Sequence, residues 1–169
     1  MTDTYRRTDL ALKLYESTQN LIRFADTKIN TLSFINGIVA SFVLTNFQIL
    51  FEISMFSKVI LILFFLTFIV FVFFVLKIIL PRNNTKSETI GTQIVFFGHI
   101  SNRDSAKDFI NQFNNTTSEE FLDDLLQQIY ESSKIASVKF LNYKKCLITL
   151  QFQIFLFFIL LGLKSFVVK

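Results

Sequence analysis

The chain has 169 residues, 51% of them apolar and 23 of them Phe, with a formal net charge of +4. So much apolar content with 4 Gly and 1 Pro excludes a disordered or linker-rich chain and fits buried helices. One Cys and one His exclude an internal disulfide and leave no zinc or haem ligand set.

Residues 1–28 are charged and lack the apolar run of a cleavable signal. Within them Leu10, Leu14, Ser17, Leu21, Phe24 and Lys28 alternate at spacings of three and four, which predicts an amphipathic helix that runs without a break into Ile29. The stretches Ile29 to Phe51, Val59 to Leu76 and Cys146 to Leu163 contain no Asp, Glu, Lys, Arg or His. A helix rises about 1.5 Å per residue and the hydrocarbon layer is roughly 30 Å thick, so each stretch is long enough to cross a bilayer. The first two form a hairpin over residues 29–80, with spans 29–51 and 59–80. They are chemically unequal, because the first carries Asn30, Ser33, Asn36, Gly37 and Ser41 while Thr67 alone relieves the Ile, Leu, Val and Phe of the second. Ser33, Asn36, Gly37, Ala40 and Ser41 make a candidate packing stripe for a third span, for another subunit, or for a wetted seam.

Residues 81–145 follow as a polar segment. Its linker Arg82 to Glu88 leads to an apolar run, Ile90 to Ile100, too short to span a membrane and expected to plug against neighbouring helices. A helix is predicted from about Asp104 to Phe113. Thr117 and Glu120 then have capping-box spacing, and the acidic first turn Glu119, Glu120, Asp123 and Asp124 reads as a solvated helix start. Leu122, Leu125, Ile129, Ser133, Ala136, Phe140 and Tyr143 repeat along one face into the last span, residues 146–169. With no Gly or Pro between Phe121 and Leu161, one helix of more than about 40 residues is expected.

Basic residues concentrate before the first span and in the middle segment, so the positive-inside tendency puts both in the cytoplasm and the C-terminal tail outside. The resulting fold class is an all-α membrane protein. Its three transmembrane helices include an N-terminal and a third helix extended into a cytoplasmic helical stalk with a small cap.

Phe24-Ala25-Asp26-Thr27-Lys28 entering a membrane helix, Ile94-Val95-Phe96-Phe97-Gly98-His99-Ile100 after the second span, and Gln128-Ile129-Tyr130 with Ser133-Lys134-Ile135-Ala136 and Lys139-Phe140 before the last carry a resemblance. In their order and spacing the chain resembles the transmembrane effectors of Pycsar antiphage systems. The resemblance implies a partner pyrimidine cyclase that makes cyclic CMP or cyclic UMP on phage infection. It further implies an effector in the bacterial inner membrane that senses the nucleotide and impairs that membrane, causing abortive infection. Residues 81–145 then become the nucleotide-sensing segment, and a homo-oligomer in contact with membrane lipid is expected, with no nucleic-acid polymer as partner.

A cyclic nucleotide offers one phosphate charge, a flat base and a ribose hydroxyl, so its site needs cations, an aromatic plate and hydrogen-bonding groups. Arg23, Lys134 and Lys139 are the candidate phosphate partners, Phe97 and Tyr130 the candidate plates, and His99 and Asn102 the candidate base readers. Asp26 and Lys28 lie nearer the membrane and join the candidate set. An acid there is costly without a partner, so Asp26 is expected to pair with Lys139 or Lys28. Core packing for Phe97 and a structural ion pair for Asp26 remain the competing readings. No nucleophile elbow, Gly-rich phosphate loop or HExxH occurs, so no catalysis is expected. A ligand-independent holin-like toxin, an effector of another cyclic-nucleotide defence system and a structural subunit stay open as alternatives.

Overall fold

The computed structural model describes residues 2–80, 94–95, 100–101 and 103–167. Among them are five helices: α1 Thr2–Thr45, α2 Phe47–Ile53, α3 Met55–Ile79, α4 Ala106–Asn115 and α5 Ser118–Val167. α1 has 44 residues and α5 has 50, and α1, α3 and α5 are each long and apolar enough to cross a membrane. Neither long helix contains Pro, and Gly occurs only at Gly37 and Gly162, so nothing removes a backbone donor along the way.

The described residues divide into two units, 2–23 with 94–137 and 24–80 with 138–167. α1 and α5 each contribute to both.

In the second unit, α1 and α5 run parallel and α3 runs opposite. One apolar cluster joins Ile29 and Leu32 of α1, Phe71 and Ile78 of α3, and Cys146 and Leu150 of α5. The other joins Val43, Leu50, Ile60, Leu61, Phe64, Leu156 and Leu160. Outward-facing residues are large and apolar, among them Phe34, Ile38, Ile62, Ile69, Phe155 and Phe158, as a lipid solvent requires. The first span is not one helix to Phe51. α1 ends at Thr45, and Asn46 turns its own amide back onto the Phe42 carbonyl at 2.8 Å while its Oδ1 accepts from Lys164 Nζ at 2.6 Å. Ser54 caps α3 by accepting from Ser57 N at 3.1 Å, and Ser57 Oγ donates to the Leu50 carbonyl at 2.5 Å, which ties α2 to α3 across the turn.

The five-residue packing stripe splits. Asn36 and Ala40 are buried, Ser33 is half-buried, and Gly37 and Ser41 face outward with nothing near the Gly37 Cβ position. A straight helix buries one face about two residues wide, so neighbours one position apart in a small-residue run part company.

The first unit packs Ala11 of α1 against Leu122, Leu125 and Ile129 of α5, with Tyr15, Phe121 and Val95 alongside. The α1 seam is one residue off the predicted one. Ala11, Thr18 and Ala25 are buried, whereas Leu10, Leu14, Leu21 and Phe24 are exposed. Small side chains let α5 approach closely, and the larger Leu set is left outside. On α5 the expected face holds through Leu122, Leu125, Ile129 and Ala136, with Ser132 buried in place of Ser133. Gln19 Nε2 donates to Ser132 Oγ at 3.1 Å across this seam.

Candidate functional site

The membrane unit is measured out by its polar groups. Lys58 and Lys77 lie near the two ends of α3, each with its ammonium over a Phe ring, at 4.6 Å from Phe51 and 4.4 Å from Phe73. On α5, Lys145 sits 5.5 Å from the Phe74 ring and Lys164 sits 5.6 Å from the Phe42 ring. On α1 the corresponding levels are Asp26 and Asn46. In all three helices the polar levels are roughly 30 Å apart along the axis at about 1.5 Å per residue, which is the thickness of the hydrocarbon layer. Long cationic side chains that lay their stems on aromatic rings and reach for the interface are what such levels need.

α1 and α5 are laced at the two α1 levels, by Lys139, which stands roughly 9 Å before Lys145 along α5, and by Lys164. At one, Lys139 Nζ meets Asp26 Oδ1 at 2.5 Å, with side chains 18% and 43% exposed. At the other stands the Lys164–Asn46 bond. The expected pairing of Asp26 with Lys139 is therefore present, and Lys139 has its charge committed to the neighbouring helix. Lys28 is exposed, with its ammonium 5.1 Å from the Phe24 ring.

The first unit holds the other described candidates. Arg23 is exposed on α1. Tyr130 is 61% exposed on α5, and Lys134, one turn on, places its ammonium 4.1 Å from the Tyr130 ring centroid and 3.4 Å from Glu131 Oε1. The spacing of four brings ring and ammonium onto one helix face, so an aromatic plate and a cation stand together. The candidates thus fall into two groups, Asp26 with Lys139 in one unit and Tyr130 with Lys134 in the other. Phe97, His99 and Asn102 lie outside the described residues.

Sequence reasoning missed Asp124. Instead of being a solvated residue of the acidic helix start, it is half-buried, and its Oδ2 accepts from the backbone N–H groups of Ile94 and Val95 at 2.6 and 2.9 Å. A carboxylate receiving two successive amides is a strong, directional anchor. It fixes Ile94, which is buried, and Val95 against the Leu122–Leu125–Ile129 face. The period of α5 holds the signal, since Asp124 lies next to the buried Leu125 while Asp123 faces away.

Fold and polar levels together define a three-span membrane protein whose first and last helices are paired by a charge bridge at one membrane boundary and an amide bridge at the other. The family described as Pycsar effector protein domain, PycTM, matches residues 10–164. The chain belongs to that family, and so is an antiphage membrane protein of a system that includes a cyclase. Comparison with curated proteins and with solved structures returned no match.

Proposed function

We propose that this effector binds cyclic CMP or cyclic UMP made by its partner cyclase and, once loaded, impairs the bacterial inner membrane so that the infected cell dies before phage are released. It does so without catalysing a reaction. The family carries the antiphage assignment, and the exposed Tyr130–Lys134 pair carries the ligand. The pyrimidine stacks on the Tyr130 ring, Lys134 meets the phosphate, and Arg23 supplies a second cation. Phe97 supplies a second plate, and His99 and Asn102 read the base edge. Lys139, held by Asp26, acts in coupling rather than in phosphate binding. The basic residues before the first span and in the middle segment support a cytoplasmic nucleotide-binding unit, on the side where a cyclase product accumulates. Association of loaded copies into a homo-oligomer delivers the damage.

Titrating cyclic CMP and cyclic UMP onto the detergent-solubilised full chain tests the ligand. One nucleotide binds, and Tyr130→Ala and Lys134→Gln each weaken it at least about tenfold, or about 1.4 kcal/mol. Lys139→Gln leaves affinity within about threefold. Loss of neither contact in the variants overturns the placement. Proteoliposomes that release dye before any nucleotide is added would favour the ligand-independent toxin instead.

A further inference from the structure

Asn36 and Gln153 are 1% and 0% exposed, and among the described residues none of their four side-chain N and O atoms has a hydrogen-bond partner. Their places in the bundle are set by register. Ile29, Asn36 and Val43 stand seven apart on α1, and Cys146, Gln153 and Leu160 stand seven apart on α5. Ile29 and Cys146 share one apolar cluster, and Val43 and Leu160 share the other. The two amides therefore meet in the interval between the clusters. Thr67 occupies the same interval on α3, between Phe64 and Phe71, and its Oγ1 donates to the Phe64 carbonyl at 2.8 Å, so the hydroxyl oxygen keeps its acceptor capacity. Along α1, Asn36 is roughly 15 Å from both Asp26 and Asn46, which is the bilayer midplane.

A carboxamide buried in hydrocarbon is expensive unless something bonds it. Direct pairing of the two amides leaves at least one donor and one acceptor unmet on each, because every carboxamide carries two donors and an oxygen with two lone pairs. Lipid chains offer neither. Water is the ligand whose chemistry fits, since it donates and accepts and takes two to four polar partners in protein interiors.

The geometry points to a water-binding site at the bilayer midplane, made by Asn36 and Gln153 between two dry apolar clusters. When α1 and α5 move apart, this is the level at which the bundle wets first, so it is where permeability of the membrane begins. The wetting step rests on the proposed membrane impairment; the water site does not.

Thiol chemistry reads the site directly. In a Cys146→Ala background of the full chain in native membranes, Asn36→Cys and Gln153→Cys are compared with Leu32→Cys and Leu156→Cys, one from each apolar cluster. A small methanethiosulfonate reacts with the thiolate, which forms only where water reaches. Modification at 36 and 153 is expected at least about tenfold faster than at 32 and 156. Equal rates at all four positions overturn the water site, and recovery of each variant as a monodisperse species in detergent establishes that it has folded. The second measurement uses the Asn36→Leu/Gln153→Leu double variant in proteoliposomes with cyclic CMP or cyclic UMP. Its nucleotide affinity matches the parent and its Tm is higher, while nucleotide-triggered dye release falls at least about tenfold. Release equal to the parent's overturns the wetting role. If the parent itself releases no dye, the membrane-impairment reading fails while the thiol rates still decide the water site.

Discussion

The two units of this chain solve the same packing problem in different solvents. The unit of residues 24–80 and 138–167 keeps two apolar clusters inside and an equally apolar set, such as Phe34, Ile62 and Phe155, outside. The unit of residues 2–23 and 94–137 has a small core of Ala11, Leu122, Leu125 and Ile129 and a surface carrying Arg6, Arg7, Glu119 and Asp123. In water, burial of Leu125 is itself a driving force. In lipid it is not, because the acyl chains are as apolar as the core, and what remains is close packing plus polar groups that demand partners. The comparison explains why the membrane unit spends its few polar residues across helices, as Asp26–Lys139 and Asn46–Lys164, while the other unit spends many on helix starts and on Asp124.

Matched truncations break this comparison most sharply. Leu125→Ala should cost about 2–5 kcal/mol, the sum of a transfer and a cavity term. Leu160→Ala, equally buried, should cost about 1–2 kcal/mol, because lipid leaves only the packing term. Thermal melts of both variants in one detergent check the ratio; equal losses would mean that the two units share one solvent.

Anchors come next in size. Asp124→Ala leaves the Ile94 and Val95 amides without their acceptor and should cost about 1.5–3 kcal/mol, seen as faster hydrogen exchange at those two amides. Lys139→Ala strands the Asp26 carboxylate next to the hydrocarbon. A loss of about 1–3 kcal/mol is expected, less than for a fully buried pair because Asp26 keeps some contact with water. Asp26→Asn with Lys139→Gln should restore part of that loss. A cycle showing strictly additive effects would mean that the pair does not couple the helices.

Much of this was legible in the sequence, and the failures share a cause. Charge-free length gave the three spans, the absence of Gly and Pro gave a single long α5, and the cost of a lone acid near lipid narrowed the partner of Asp26 to Lys139 or Lys28, of which Lys139 is the one that meets it. Long periodic patterns and unpaired charges are one-dimensional signals. Which of two adjacent faces turns inward is not. The α1 seam followed Ala11, Thr18 and Ala25 instead of Leu10, Leu14 and Leu21 because close approach favoured small residues, and that depends on the shape of the partner helix. The break at Asn46 was hidden for a similar reason: it depends on Lys164, far away in the chain. Of the candidate site, Tyr130 and Lys134 were named singly and their spacing of four, which sets ring and ammonium on one helix face, was not used, whereas Asp124 was missed because its partners are backbone amides.

The smallest effect tests the water-facing unit where its signal was purely local. Thr117 N and Oγ1 both donate to Glu120 Oε2, at 2.8 and 2.9 Å, and Thr117 Oγ1 accepts from Glu120 N at 3.3 Å, which is the reciprocal cap expected at the start of α5. The backbone N–H of Thr117, and then its hydroxyl, hold the Glu120 carboxyl below the usual glutamate range. A group whose folded pKa is depressed contributes stability that is full above its unfolded value, about 4.3, and is lost as pH falls through the folded value. The first turn of α5 should therefore fray in mild acid, with the Thr117 amide exchanging faster as Glu120 protonates. Glu120→Gln keeps an acceptor but cannot titrate, so its exchange should be flat across the same pH range. Because Glu120 is fully exposed to water, the effect stays within one helical turn, and acid-accelerated exchange spreading beyond that turn of α5 would show that the cap is not its source.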